Sequence, residues 1–281
     1  MKNALEIRNL SKAYTDFTLD NINLTLPSGC IMGFVGENGA GKSTTIKLIL
    51  DLIHRDSGEI AVLGEDHISQ NKEMKENIGV VMDECSFPDH LTVNDIETIM
   101  KCCYQTWDSR TFANYRNRFE LPPKKAVKEL SRGMKMKLSI AVALSHDSRL
   151  LIMDEATSGL DPVVRDEILD IFLEFIQDEG HSIFISSHII SDLEKICDYI
   201  TLIHKGKIIF SEAKDDLLDR YAVIKCSEEE YQMLDRAAII GMRKNRFGIE
   251  ALALKKKIPS TVFKDAATIE DIMLYYVKGE K

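Results

Sequence analysis

The sequence predicts an α/β fold in which helices cover both faces of a mainly parallel sheet. Short, continuously apolar runs occur at residues 31–35, 78–82, 150–153 and 183–185, and helical patterns separate them. Runs of this length and character are typical of parallel strands that are buried on both faces. A glycine-rich segment at residues 36–44 joins the first run to a helical pattern, which completes a strand–loop–helix unit.

The N-terminal part of the chain predicts a separate antiparallel β subdomain. Residues 4–35 have strand character, and Ile22, Leu24 and Leu26 alternate with polar residues. This alternation is typical of a strand with one buried face. Polar residues 67–77 are predicted to be helical.

A helical subdomain is predicted at residues 86–145. Thr92 or Asn94 is placed to cap its first helix, and the aromatic side chains around Trp107 are predicted to form its core. Later in the chain, Asp161-Pro162 starts a long helix with an apolar face, which we expect to end at Gly180. Further strands are predicted at residues 200–203 and 207–210.

The C-terminal part predicts a small α+β appendage, with a domain boundary between residues 1–215 and 216–281. Its predicted elements are a strand at 221–225, a helix at 227–235, a hairpin at 238–254 that turns near Asn245, and a final helix capped by Thr268 and Asp271 and ended by Gly279. We expect a packed appendage, with a regulatory or dimer-stabilising module as the alternative.

Composition limits the function classes. The net charge of −9 argues against nucleic-acid binding, which needs a basic surface. The longest apolar runs are too short to span a bilayer, and the first residues have no apolar signal core. The six cysteines show no metal-ligand spacing, so we expect reduced thiols and a cytoplasmic location.

Residues 36–43 read G-x-x-x-x-G-K-S, the pattern of a phosphate-binding loop. Glycines let successive backbone N–H groups point at phosphate oxygens, and the following helix adds the positive end of its dipole. Lys42 is expected to neutralise the β- and γ-phosphates of a nucleotide, and the Ser43 hydroxyl is expected to bind Mg²⁺.

Two carboxylates follow the buried run at residues 150–153. Asp154 is a candidate magnesium ligand, and Glu155 is a candidate for polarising a water aimed at the γ-phosphate. His188 follows another buried run and is a candidate for contacting the same phosphate, although a histidine there is more often structural.

Together these motifs resemble those of the nucleotide-binding subunits of ATP-binding cassette (ABC) transporters. The resemblance covers roughly residues 3–215. Its motifs stand in the family's order: the phosphate loop at 36–43, the signature at 130–134, the strand and carboxylates at 150–155, the D-loop at 158–161, and His188. The signature and residues 150–165 look most like ABC-2-type exporters, which commonly serve antibiotic or peptide export.

The resemblance implies an α/β P-loop ATPase core, with catalytic roles for Lys42, Glu155 and His188, and ATP and Mg²⁺ as cofactors. It implies two subunits paired head to tail around two ATP molecules, as a homodimer or a heterodimer, with an integral-membrane permease as partner. The implied nucleotide-binding residues are Tyr14 as an adenine-stacking ring, Gly36, Glu37, Asn38, Gly39, Ala40, Gly41, Lys42, Ser43 and Thr44, with Ser131 and Gly133 facing the partner's ATP.

The chain departs from the family pattern at four positions. Arg132 stands where the signature has a glycine, Met134 where it has glutamine, and Ala156 where proline is usual. Asp83 aligns with the Q-loop glutamine and is therefore a candidate catalytic residue and Mg²⁺ ligand. The alternative is that Asp83 faces solvent and Glu84 or a water takes this role.

The expected function is an ATP-hydrolysing subunit that powers transport, with export favoured, through a permease at the cytoplasmic face of the membrane. The alternatives are an ABC ATPase that acts on ribosomes or DNA, and a nucleotide-gated regulatory protein without turnover. The single cassette and the absence of long insertions argue against the first, and Glu155 and His188 argue against the second.

Overall fold

The computed structural model describes residues 3–66, 72–246 and 248–279. Its internal contacts divide the chain into two compact units, Met1–Ser211 and Glu212–Lys281. The predicted helix at 67–77 lies partly outside the described residues, and within them a helix spans Lys72–Glu76.

The first unit alternates strands and helices, as the sequence predicts. Its strands are β1 (Asn3–Ala13), β2 (Thr18–Pro27), β3 (Ile31–Val35), β4 (Ser57–Val62), β5 (Glu65–Asp66), β6 (Ile78–Val81), β7 (Leu150–Asp154), β8 (Ser182–Ser186), β9 (Tyr199–His204) and β10 (Lys207–Ala213). Its helices are α1 (Lys42–Ile49), α2 (Lys72–Glu76), α3 (Val93–Cys103), α4 (Ser109–Arg118), α5 (Arg132–Ala143), α6 (Pro162–Phe175) and α7 (Ile190–Ile196), with a short 3₁₀ turn at Val127–Glu129.

A six-stranded sheet has the strand order β10-β9-β3-β8-β7-β6. Strand β3 pairs in parallel with β8 and β9, and β7 pairs in parallel with β8 and β6. The carboxyl ends of neighbouring parallel strands meet at one edge of a sheet, where open α/β folds bind their ligands. The segments that follow β3, β8 and β7 therefore lie side by side.

A four-stranded antiparallel sheet, in the order β2-β1-β4-β5, forms the predicted β subdomain. The alternation in β2 is confirmed, because Ile22, Leu24 and Leu26 are buried and the polar residues between them are exposed. The main apolar core contains residues of both sheets, including Phe34 and Phe184, whose ring centroids are 5.3 Å apart. This core supports the strand that precedes the glycine-rich loop.

The helical segment between β6 and β7 contains α3, α4 and α5. Thr92 caps α3 in a capping box with Asp95, while Phe112 and Phe119 are buried as predicted. The predicted end of α6 at Gly180 is wrong, because α6 ends at Phe175. The side-chain amide of Gln177 donates to the free carbonyl of Leu173, so the helix terminates without a glycine.

The second unit is built on an antiparallel sheet with the order β12-β13-β11-β14. Its elements are α8 (Lys214–Arg220), β11 (Tyr221–Cys226), α9 (Glu228–Gln232), β12 (Ile239–Asn245), β13 (Gly248–Leu254), β14 (Lys264–Ala266) and α10 (Ile269–Lys278), with 3₁₀ turns at Arg236–Ala238 and Lys255–Lys257. The hairpin and the Thr268 cap are confirmed. The predicted helix 227–235 is shorter, because Asp235 instead caps the following 3₁₀ turn by accepting from the Ala237 N–H.

Candidate functional site

The glycine-rich loop connects β3 to α1 at the carboxyl edge of the six-stranded sheet. Gly41 is the N-cap of α1 and provides no side-chain hydrogen bond to the first N–H groups of the helix. These free N–H groups and the helix dipole make this end of α1 suitable for an anion. Ser43, in the first turn, is exposed, while Thr45 bonds back to the Gly41 carbonyl at 2.9 Å.

The loop requires glycine at two positions for different reasons. Gly41 has a φ of +114°, and a Cβ there would lie 2.9 Å from Phe17 Cζ. A Cβ on Gly36 would lie 2.4 Å from the Ile203 carbonyl oxygen. Phe17 and Ile203 therefore hold the loop close to the β1–β2 connection and to the end of β9.

Lys42 is buried beneath the loop. Its Nζ donates to the carbonyl oxygens of Gly36 at 2.8 Å and Glu37 at 3.3 Å, and lies 3.8 Å from Glu155 Oε1. Because only 6% of this residue is exposed, its ammonium group is held at the loop rather than in solvent. The phosphate loop and the carboxylates after β7 are thus brought together, as expected for parallel neighbours.

Asp154 ends β7 and is buried. The Ser186 hydroxyl at the end of β8 donates to Asp154 Oδ1 at 2.6 Å. The Ser186 backbone carbonyl also accepts from the Glu155 N–H at 3.0 Å. Ser186 therefore orients both carboxylate-bearing residues, a role that the sequence reasoning did not identify.

Glu155 lies immediately after the strand in a left-handed conformation, with a φ of 54°. Its Oε2 is 2.5 Å from His188 Nδ1 and accepts from the His188 backbone N–H at 3.3 Å. The Glu155 side chain is thus held between Lys42 on one oxygen and His188 on the other. The His188 side chain is about half exposed (52%), so its ring can also meet a ligand.

The signature segment forms the start of α5. Ser131 is the N-cap, and its hydroxyl accepts from the Met134 N–H at 3.2 Å. A Cβ on Gly133 would meet nothing closer than 3.7 Å, so the fold of this subunit does not require a glycine at that position. The described structure of one subunit shows no contact that Gly133 uniquely permits.

Asp83 follows β6 and pairs with a residue that the sequence reasoning had considered separately. Arg132 Nη2 lies 2.9 Å from Asp83 Oδ1, and both side chains are about half exposed. The guanidinium also covers Gly159, where a Cβ would lie 2.6 Å from Arg132 Nη1. Two departures from the family pattern therefore contact each other.

Tyr14 lies in the turn between β1 and β2, and its N–H donates to the Phe17 carbonyl at 2.8 Å. Phe17 packs against Gly41, so this turn lies beside the phosphate loop. The Tyr14 ring is 47% exposed, and Lys12 Nζ is 5.8 Å from its centroid. An exposed aromatic face is thus available next to the loop.

The described residues also bear on three further questions: whether side chains cluster to bind a metal, whether a helix spans a membrane, and whether disulfides form. No group of three or more His, Cys, Asp or Glu side chains in 3–66, 72–246 and 248–279 has the arrangement to hold a metal ion by itself. Nor does any helix in those ranges combine the length and the apolar character needed to cross a membrane. The cysteines described are free thiols.

A phosphate loop beside two carboxylates at the edge of a parallel sheet defines a P-loop nucleotide-binding protein. Residues 19–158 match the ABC transporter family. The bacitracin transport ATP-binding protein BcrA of Bacillus licheniformis is 32% identical over 89% of this chain and 81% of its own length. The lantibiotic transport ATP-binding protein SrtF of Streptococcus pyogenes is 36% identical over 75% of this chain and 91% of its own.

The fold agrees with these relatives. A solved structure described as an ATP binding subunit of an ABC transporter superposes with a TM-score of 0.69 at 26% identity, and covers 76% of this chain and 91% of that one. The chain belongs to the ABC transporter family and is an ATP-binding, ATP-hydrolysing subunit of that family.

Proposed function

We propose that this chain powers outward transport through a membrane permease, and that the residues around the phosphate loop carry out its ATP hydrolysis. The observation that carries the proposal is the position of Glu155 between Lys42 and His188 at the mouth of that loop. Uncapped N–H groups at α1 suit the phosphates of ATP, and Lys42 adds a positive charge beside them. Tyr14 offers its exposed ring to the adenine base.

Hydrolysis requires a water aimed at the γ-phosphorus and a group that accepts its proton. The Glu155 carboxylate is fixed by two neighbours, and His188 holds it through Oε2, so one orientation is favoured for polarising that water. In this proposal the half-exposed His188 ring also contacts the γ-phosphate. These assignments give Glu155 the role of base and His188 that of a positioning and phosphate-contacting residue.

The exposed Ser43 hydroxyl and the Asp154 carboxylate fit a magnesium ion, because Mg²⁺ prefers oxygen ligands and binds through few protein groups. When bound, Mg²⁺ supplies charge neutralisation at the β- and γ-phosphates. Ser186 orients the Asp154 carboxylate by donating to one of its oxygens. The proposal includes the Asp83 carboxylate as a further oxygen ligand of the magnesium ion.

The proposal also includes a dimer in which each ATP lies between two subunits. Ser131 and Gly133 at the start of α5 would contact the ATP bound at the partner's Lys42. A Cβ on Gly133 would make only ordinary contacts, at 3.7 Å from Leu160 and 3.9 Å from Val164, so packing within one subunit does not account for a glycine there. A close approach by the partner's nucleotide would account for it. The N-terminal end of the α5 dipole, at the Ser131 cap, is also favourable for phosphate.

Mixing two inactive variants tests this arrangement. Lys42→Ala removes the phosphate-loop cation, and Ser131→Arg blocks the signature. In a mixed dimer the intact Lys42 of one subunit meets the intact Ser131 of the other, so one complete site is restored. We expect ATPase activity to reappear on mixing. If the two variants form mixed dimers but the mixture shows no ATPase activity, the idea that two identical subunits share each ATP site would be contradicted.

An apolar groove supports docking of the permease. It encloses about 390 Å³ and is lined by the end of α1, by α2, by β6 and by Tyr104 after α3. Leu52 at its rim is 62% exposed and extends the apolar surface of the groove to solvent, where a partner can contact it. An amphipathic cytoplasmic helix of the permease fits this groove and would hold the chain at the cytoplasmic face of the membrane.

Leu52→Asp should reduce co-purification with the permease while leaving nucleotide binding intact. Leu173→Asp is the matched control, because Leu173 is an exposed leucine on α6 that does not line the groove. If both variants lost co-purification equally, or if Leu52→Asp kept it, the permease would have to bind at another surface.

For the cargo, we propose a peptide antibiotic or a chemically similar peptide, because two of the similar proteins are named for bacitracin and lantibiotic transport. Cells that carry the chain with its permease should then tolerate more of such a peptide than cells that carry Glu155→Gln. Equal tolerance across a panel of these peptides would reject this cargo class.

A further inference from the structure

Three segments that follow different elements of the first unit converge on one side chain. Asp83 follows β6, Arg132 begins α5, and Gly159 lies between β7 and α6. The Arg132 guanidinium pairs with Asp83 at 2.9 Å and occupies the space above Gly159 that a side chain would otherwise fill. We call this set the Arg132 bridge.

The chemistry of the bridge suits arginine. The guanidinium is planar and permanently charged, so it can lie against the backbone of a glycine and donate in its own plane to a carboxylate. Gly159 has a φ of +68° and no Cβ, which leaves room for this approach. Arg132 also lies between Ser131 and Gly133, so the bridge links the signature directly to Asp83.

The bridge determines what else Asp83 can bind. The carboxylate oxygen that accepts from Arg132 cannot at the same time be a close ligand of a second cation without repulsion between the two positive charges. Because both partners are about half exposed, solvent screens the pair, and it is weak enough to exchange.

We propose that Arg132 is a positioning residue that competes with magnesium for the Asp83 carboxylate, so the signature segment regulates a metal ligand of the site in its own subunit. This inference rests on the proposed role of Asp83 as an oxygen ligand of Mg²⁺. When Arg132 holds Asp83, magnesium has one ligand fewer. When the first turn of α5 moves away, for example on meeting the partner's nucleotide, Asp83 is released to the metal.

The test is a titration of Mg²⁺ on the full-length chain at a fixed concentration of a fluorescent ATP analogue, with the half-saturating Mg²⁺ concentration as the readout. Binding measured in EDTA serves as the baseline. Arg132→Ala should lower the half-saturating Mg²⁺ concentration about 1.5- to 5-fold, the range that corresponds to one exposed ion pair. Asp83→Ala should raise it. In the double variant, Arg132→Ala should have no further effect.

Lys135→Ala is the matched control. Lys135 lies on the same helix and makes a similar exposed contact, 3.8 Å from Asp89, without touching Asp83. We expect this variant to behave as wild type in the Mg²⁺ titration. Arg132→Lys should give an intermediate value, because an ammonium keeps the charge but lacks the planar fork.

The outcomes separate the inference from the proposed function. If Asp83→Ala raises the half-saturating Mg²⁺ concentration but Arg132→Ala leaves it unchanged, competition is overturned and Asp83 remains a ligand. If Arg132→Ala lowers it equally with and without Asp83, the effect is general electrostatics and the bridge is overturned. If Asp83→Ala itself has no effect, the proposed metal role of Asp83 fails and the inference fails with it. If wild type bound no nucleotide either in EDTA or at saturating Mg²⁺, the phosphate site itself would be contradicted.

Discussion

Ser186→Ala tests how the carboxylates of the site are held. The substitution removes one hydroxyl from a fully buried position at the end of β8 and changes the packing by a single atom. That hydroxyl donates to Asp154 at 2.6 Å, so the variant leaves a buried carboxylate without this donor. The Glu155 N–H loses the hydroxyl as an acceptor at 3.2 Å but keeps the backbone carbonyl of residue 186 at 3.0 Å.

The expected loss of stability depends on the charge of the acceptor, Asp154. A hydrogen bond to a charged group contributes about 1.5–3 kcal/mol to stability, whereas a neutral bond contributes about 0.5–1.5 kcal/mol. For a unit of this size, each kcal/mol corresponds to roughly 2–4 °C in melting temperature, so Ser186→Ala should lower the Tm by about 3–12 °C. ATP turnover should also fall, because Asp154 loses its orientation toward the proposed magnesium site.

Ser182→Ala provides the matched comparison. Ser182 is a fully buried serine at the other end of the same strand, and its hydroxyl accepts from the neutral Gly29 N–H at 3.0 Å. Thermal unfolding and steady-state ATPase assays on both variants separate the loss of a hydroxyl from the loss of a donor to Asp154. Equal Tm shifts, together with wild-type turnover in Ser186→Ala, would refute the reasoning.

The other predictions concern the phosphate loop and the response to pH. Gly41→Ala should destabilise the chain by about 1–3 kcal/mol in chemical unfolding and weaken nucleotide binding, because φ is +114° and Phe17 occupies the space. Gly39→Ala is its control, since φ is also positive but nothing lies within 4 Å, and equal losses in both variants would show that contact with Phe17 is irrelevant. Burial holds the pKa of the His146 imidazole below its ordinary value of 6.5, so the unfolded chain binds the proton first and stability should fall as the pH drops below about 6.5. His146→Phe, which keeps the stacking on Tyr104, should show a smaller loss of Tm between about pH 7.5 and about pH 5.5, and an unchanged loss would assign the pH dependence to other groups.

The sequence allowed much of the site to be predicted, because its chemistry depends on local patterns. The spacing of Gly36, Gly41 and Lys42 is a property of one loop, and the apolar run before Asp154 marks a buried parallel strand whose end carries the carboxylates. Adjacent parallel strands then bring these groups to one edge, as the contact between Lys42 and Glu155 illustrates. The two groups could therefore be placed near each other before the structure was known.

The contacts that were missed join distant parts of the chain. Arg132 and Asp83 are 49 residues apart, and neither position has a periodic pattern that would pair it with the other. Ser186 is a serine at the end of a buried run, and no local signal distinguishes it from Ser187. The end of α6 was misplaced for a related reason, since the side-chain amide of Gln177 bonds the Leu173 carbonyl and the helix ends without a glycine.

The most direct test of the account compares ATP binding with ATP hydrolysis in Glu155→Gln. Glutamine has nearly the same shape as glutamate but cannot accept a proton, so the loop and Lys42 should still bind the nucleotide. We expect binding by calorimetry to match wild type within a few-fold and steady-state hydrolysis to fall by about 10²- to 10⁴-fold, the usual contribution of a general base. Hydrolysis at the wild-type rate, with binding intact, would contradict the assignment of Glu155 as the residue that polarises the attacking water.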